Sequence, residues 1–119
     1  MGEHRLERVG VLIQEKIGTM IVEGRIKDPR VDSFLTITRV KVSRDLSYAD
    51  VYVSSYKSAE GLKKGVDGLK SAAGYIQAQL SLKMRMRQTP RLRFHEDEGM
   101  RLGFEMVQKI EGLKGEGGD

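Results

Sequence analysis

The chain predicts an α+β layered domain in which helices cover the single apolar face of a three-stranded sheet. Three observations carry that expectation. An apolar stripe with helical period opens the chain. Two alternating segments separated by a short polar link follow it. A second helical pattern then breaks at Ala72-Ala73-Gly74, resumes, and ends in a last alternating segment.

Leu6, Val9, Ile13, Ile17, Met20 and Ile21 recur at three- and four-residue intervals, one face of a first helix. Lys27-Asp28-Pro29-Arg30 is expected to end it, because proline disfavours the helical conformation of the residue before it. Residues 34–43 read as a strand whose alternation slips: Leu35 and Ile37 share one parity, Val40 and Val42 the other. A pleat has period two, so the apolar face stays buried only if one extra residue is inserted near Thr38-Arg39, which predicts a β-bulge. Ser43-Arg44-Asp45-Leu46-Ser47 makes the turn. Ala49, Val51 and Val53 then face inward opposite Tyr48, Asp50, Tyr52 and Tyr56, an antiparallel hairpin.

Ser58 is placed to cap a second helix, with Glu60 in its first turn and Leu62, Val66, Leu69 and Ala73 as its buried stripe. Gly61, Gly65 and Gly68 each weaken it by up to about 1 kcal/mol relative to alanine, so packing must hold it. After Gly74 the stripe resumes with Ile76, Leu80 and Met84 in a third helix expected to stop before Thr89-Pro90. Arg91-Leu92-Arg93-Phe94-His95 alternates as the last strand, with Leu92 and Phe94 inward. A final helix is expected through Met106 or Val107, Ile110 and Leu113. The domain is read as residues 1–114, with the glycine-rich 115–119 as a flexible tail.

The absence of cysteine excludes disulfides and thiolate metal sites and points to a reducing compartment. No signal peptide is visible, and no apolar run approaches the roughly 18 residues that span a bilayer, so a cytoplasmic protein is expected. The net charge of +4 hides an asymmetry: residues 1–93 hold 18 Lys or Arg against 10 Asp or Glu, whereas residues 94–119 hold 3 against 7. Between Asp67 and Glu96 there is no acidic residue, yet Lys70, Lys83, Arg85, Arg87, Arg91 and Arg93 fall there. A one-signed stretch repels itself unless solvent or a polyanion compensates, and nucleic acid is the usual compensator; an ordinary solvated helix face is the alternative.

Ile26-Lys27-Asp28-Pro29-Arg30, the run Ser43-Arg44-Asp45-Leu46-Ser47-Tyr48-Ala49 leading into Val51-Tyr52-Val53, the Ala72-Ala73-Gly74 break and Leu92-Arg93-Phe94 occur in that order over roughly residues 5–113. In this the chain resembles ribosome-binding factor A, a family of bacterial small-subunit assembly factors. The resemblance implies a KH-like domain of type II: helix, two strands, helix, kink, helix and strand, plus a C-terminal helix. In that family an Ala-x-Gly kink replaces the GxxG loop of ordinary KH domains, and Ala72-Ala73-Gly74 fits it. The resemblance further implies a protein that binds the free 30S subunit and its 16S rRNA, acts late in rRNA processing, supports growth in the cold, and has no known catalytic activity; the chain is read as a monomer with no cofactor. One departure is Asp97-Glu98-Gly99, where the family usually has Asp-x-Ser.

Gly65-Val66-Asp67-Gly68 is formally a GxxG, but Asp67 would repel a phosphate and the tetrapeptide lies on the apolar stripe. It is read as a weak helical stretch. Gly112-Leu113-Lys114-Gly115 falls at the terminus and means less. At Ala72-Ala73-Gly74 the small residues let two helices approach closely, and the kink can also present helix N-terminal amides to phosphate. Lys83, Arg85 and Arg87, read as the end of the third helix, together with Arg91 and Arg93 exceed what the macrodipole favours at a helix C-terminus. They are the leading phosphate contacts, with Lys63, Lys64 and Lys70 as an extension. Arg44 is either a partner of Asp45 or a further contact. Tyr48, Tyr52 and Tyr56 with Arg91 and Arg93 form a rival surface on which bases could stack.

Catalysis and metal binding find little support. His95-Glu96-Asp97-Glu98 carries ligand-type side chains, but consecutive strand residues point to opposite faces and cannot converge on one ion. There is no nucleotide-binding loop and no nucleophile–base pattern. A general KH-type module acting on non-ribosomal RNA, a protein-interaction domain with an acidic partner, and a small hydrolase remain as alternatives.

Overall fold

The computed structural model describes residues 2–97. Helix α1 spans Gly2–Val22, and Ile13, Ile17, Met20 and Ile21 of its stripe are buried, with Leu6 and Val9 packed on the core. It ends well before the proline rule requires. Gly24 adopts φ +66°, its amide donates to Ile21 O at 3.1 Å and that of Arg25 to Met20 O at 2.9 Å. These two bonds satisfy carbonyls that the helix end would otherwise orphan.

Strands β1 (Leu35–Val42) and β2 (Tyr48–Ser55) form the antiparallel hairpin. Their register shifts between Ile37 and Arg39, so the bulge sits where the parity slip demanded it. Thr38 is the extra residue. Its hydroxyl donates to Asp97 Oδ2 at 2.6 Å, with Tyr52 O also within reach at 3.2 Å. The inward set is thereby kept, with Leu35, Ile37 and Val42 at most 8% exposed and Val40 packed on the core.

Helix α2 (Ala59–Ser71) begins at Ser58, whose Oγ accepts the Gly61 amide at 2.9 Å. Helix α3 (Ala73–Met84) follows after the single residue Ala72. β3 (Arg91–Glu96) lies parallel to β2 with Tyr48 opposite Arg91 and Val53 opposite Glu96. Parallel neighbours need a crossover, and α2 and α3 provide it. The sheet order is β1-β2-β3. The result is an α+β, KH-like type II arrangement, with Leu62, Val66, Leu69, Ile76 and Leu80 closing the core over Val51, Val53, Leu92 and Phe94. The helix expected after the last strand and the tail at 115–119 lie outside the described residues, as does the second GxxG match.

Two corrections concern α2 and α3. The GxxG glycines are not merely weak helix: Gly65 and Gly68 are buried. A Cβ on Gly65 would stand 2.6 Å from both Leu35 methyls, and one on Gly68 2.9 Å from Val31 Cγ2 and 3.1 Å from Arg30 Cβ. They let α2 lie against the loop and β1. The third helix stops before Thr89-Pro90 as expected, but already at Met84, where Arg85 turns left-handed at φ 51°, ψ 36°, so that Arg85 and Arg87 lie past its end rather than in it.

Candidate nucleic-acid interface

The axis changes at Ala72, with φ −91° and ψ 4°. Its amide still donates to Gly68 O and Leu69 O, so the helical ladder bends without parting. Gly74 is already helical and exposed, and a Cβ there would meet nothing within 4 Å. The bend therefore belongs to Ala72, while Gly74 leaves the outer surface bare. The Asp28-Pro29-Arg30 loop braces this joint. Arg30 Nε and Nη2 donate to Asp28 Oδ1 and Oδ2 at 2.9 and 2.7 Å, and Nη2 also reaches Ser71 Oγ at 3.0 Å. These bonds hold the Asp28 carboxyl down at about 2.

The predicted cations divide into separate groups. Lys63 and Lys70 lie one above the other on the exposed face of α2, two helical turns apart. Lys64 pairs with Glu60 at 3.3 Å. The stretch Ala73–Leu82 is uncharged, so about 15 Å of helix separates these from Lys83, Arg85 and Arg87. Because α3 ends at Met84, Arg85 caps it and Arg87 lies in the connection to β3. That connection reaches Arg91, whose amide donates to Ser47 O at 2.8 Å. Ser47 closes the hairpin turn that carries Arg44, so Arg44 and Arg91 share one end of the sheet with Arg85 and Arg87 close in sequence.

The question left open at Arg44 is answered by Asp45. Its carboxylate accepts from the Ser47 amide at 3.0 Å and from Ser43 Oγ at 2.9 Å. Bonds from Ser47 and then Ser43 hold it below the ordinary carboxylate range. Among the described residues, Arg44, Lys83, Arg85, Arg87 and Arg91 have no carboxylate within ion-pair distance, and each is exposed.

Arg93 is placed differently. It lies on the outer sheet face, where its Nε and Nη2 donate to Asp50 Oδ1 and Oδ2 at 2.9 and 3.1 Å. His95 Nε2 donates to the same carboxylate at 2.7 Å. Burial acts to raise the Asp50 carboxyl, but bonds from His95 and Arg93 and the Arg93 charge outweigh it, leaving it below its usual value. The Arg93 guanidinium also covers Tyr48, and that of Arg39 covers Tyr52, each 4.3 Å from the ring centroid. His95 stacks on Tyr52 at 5.1 Å and 29°. The rings of Tyr48 and Tyr52 are thus already covered from within, whereas Tyr56 is 67% exposed. Sequence reasoning missed Arg39, whose role depends on a cross-strand neighbour, and Tyr75, which is 45% exposed on α3 directly after Gly74. The His95 and Asp97 side chains serve different partners, Asp50 and Thr38. No helix among the described residues is long and apolar enough to cross a membrane.

Comparison with known proteins agrees with this architecture. Residues 5–110 match the family model described as ribosome-binding factor A. A ribosome-binding factor A of Treponema denticola is 48% identical over 96% of this chain and 86% of its own length. The crystal structure of ribosome-binding factor A from Thermus thermophilus superposes with a TM-score of 0.64 at 28% identity, covering 76% of this chain and 94% of that one. Coordinates of the Thermus thermophilus factor fitted into the cryo-EM map of its 30S complex give 0.53 at 29% identity, over 72% and 92% of the two chains. With the kinked helix pair, the bulged hairpin and the parallel third strand all in place, this chain belongs to the ribosome-binding factor A family.

Proposed function

We propose that this protein binds the free 30S subunit through its 16S rRNA and assists late processing of that RNA, including at low temperature. The observation that carries the reading is the set Arg44, Lys83, Arg85, Arg87 and Arg91, each exposed and without an ion pair among the described residues. The fitting of a family member into a 30S map supports it. Each phosphate neutralised by such a cation releases condensed counterions, so binding is strong in dilute salt and shape-directed.

The contributions differ within the predicted set. Lys63 and Lys70 extend the contact along α2. Lys64 and Arg93 add less, because Glu60 and Asp50 already hold them. Ala72, Ala73 and Gly74 supply shape: the bend sets the angle between the two cation groups, and the bare surface at Gly74 admits a backbone closely, with Tyr75 beside it for stacking. The mechanism is positional. A ligand that favours one RNA arrangement shifts the population toward it without doing chemistry, and no cofactor is required. A monomer acting in the cytoplasm suffices.

Sedimentation with purified subunits tests this. The wild-type chain is expected to travel with free 30S particles and not to spread over unrelated RNA, which a general RNA-binding module would do. Changing Lys83, Arg85 and Arg87 together to glutamine is expected to lower the slope of log affinity against log salt by up to about 3. Unchanged affinity and slope would refute the assignment of these cations.

A further inference from the structure

Helix α1 and strand β1 are not equally close along their length. At Gly10 the two backbones nearly touch, since a Cβ there would lie 2.7 Å from Val40 O. One turn on, the Gln14 side chain spans the gap, its Nε2 donating to Ile37 O at 3.0 Å. Beyond Gln14 the elements part around Gly18 and leave a groove of about 600 Å³ that runs to Val22 and is floored by Leu35, Thr36 and Ile37. Apart from the adjoining residues and backbone of its own helix, no atom among the described residues lies within 4 Å of where a Gly18 Cβ would stand.

The floor of the groove is one edge of the sheet, because among the described residues β1 is an outer strand. Tyr56 donates its amide to Phe34 O, and Thr36 pairs with Ser54 two residues on. Antiparallel pairs alternate between bonded and non-bonded, so Leu35 and Ile37 direct their backbone groups away from β2. Asp32 O takes the Leu35 amide at 3.2 Å and Gln14 takes the Ile37 carbonyl. Among the described residues the Leu35 carbonyl and the Ile37 amide remain, on either side of Thr36. That pair matches the carbonyl and amide that one residue of an added parallel strand bonds. No lysine or proline blunts the edge at these three positions, although such residues commonly guard exposed edges.

Charge selects the occupant. On a domain that is otherwise basic, this groove is lined by Glu15 and Glu23 and by no cation. Glu23 shares its carboxylate with Arg25 at 2.9 Å, and Glu15 has no ion pair among the described residues. Val22, 79% exposed at the open end, offers an apolar contact.

We infer that the α1–β1 groove is a docking site for an extended basic peptide of a partner protein, which adds as a short parallel strand beside Leu35–Ile37 while its lysines or arginines meet Glu15 and Glu23. This surface is separate from the RNA-facing cations. It gives the protein a second, protein-directed contact in an assembly where RNA holds the first.

The test uses the full chain labelled with ¹⁵N and a blocked pentapeptide, Arg-Val-Lys-Val-Arg. A second copy of the peptide carries an N-methyl group on its central residue. The plain peptide is expected to shift the amides of Leu35, Thr36 and Ile37 and to slow exchange of the Ile37 amide. N-methylation is expected to abolish this. The pair Glu15→Gln on α1 and Glu23→Gln just beyond its end, both exposed, is expected to weaken binding on the order of tenfold with the fold unchanged. Absence of shifts at these amides with millimolar peptide would overturn the proposal, as would equal binding of the methylated peptide. So would the same shifts produced by a single-stranded RNA oligonucleotide, which would make the groove part of the nucleic-acid surface.

Discussion

Arg30 reaches Ser71, 41 residues further along the chain, with an Nη2–Oγ bond of 3.0 Å while its guanidinium grips Asp28. The loop after α1 is thereby tied to the last residue of α2, one position before the bend at Ala72. Replacing Arg30 with lysine keeps the charge but removes the planar fork that serves Asp28 and Ser71 together. Faster amide exchange at residues 70–74, with the rest of the domain unaffected, is the expected result by NMR.

The same contact sets a pH dependence. Bonds from Arg30 hold the Asp28 carboxyl at about 2, against an ordinary 3.8. A carboxyl lowered in the folded state contributes stability that is complete above the unfolded value and disappears as pH falls through the folded one. The contribution is therefore expected to persist above about pH 4 and to vanish between about pH 4 and 2. A carboxyl ¹³C titration of Asp28 should show its midpoint near the lower limit, and Asp28→Asn should flatten the stability profile across that window.

Alanine at two glycines is expected to act in opposite directions. At Gly68 the new methyl meets Val31 Cγ2 at 2.9 Å and Arg30 Cβ at 3.1 Å, an overpacking cost of about 1–3 kcal/mol. At Gly74 it meets nothing and removes a helical glycine, a gain of about 0.5–1 kcal/mol. Urea denaturation measures both. If Gly74 serves RNA approach, Gly74→Ala should at the same time weaken 30S binding. A more stable protein with unaltered affinity would remove Gly74 from the interface.

Asp50 offers a gain-of-contact experiment. Its carboxylate holds Arg93 and His95. Asp50→Asn would free the Arg93 charge on the outer sheet face. Affinity for RNA should rise and the salt slope should steepen by about 1, with a loss of thermal stability from the broken network. Measuring binding at several salt concentrations separates this from a change in shape.

Much of the architecture was legible in residue order. The slip between Ile37 and Val40 could be absorbed only by a bulge, and Thr38 is that residue. Ser58 caps α2 as its side chain and position suggested. Helix ends were less legible. Gly24 closes α1 before Pro29 has any influence, and Arg85 ends α3 by adopting a left-handed conformation for which glycine or asparagine would have been the usual signal. The candidate cations were visible as types. Which of them are free was not, because Asp50 meets Arg93 and Glu60 meets Lys64 only after folding.

The order of elements, the inward faces and the family kinship follow from periodicity and local motifs, which are properties of neighbours along the chain. The partners of charges, the occupied faces of Tyr48 and Tyr52, the packing role of Gly65 and Gly68 and the widening gap beside β1 depend on atoms far apart in sequence. Tertiary structure decided those, because Coulombic and steric contacts fall off with distance in space and take no account of distance along the chain.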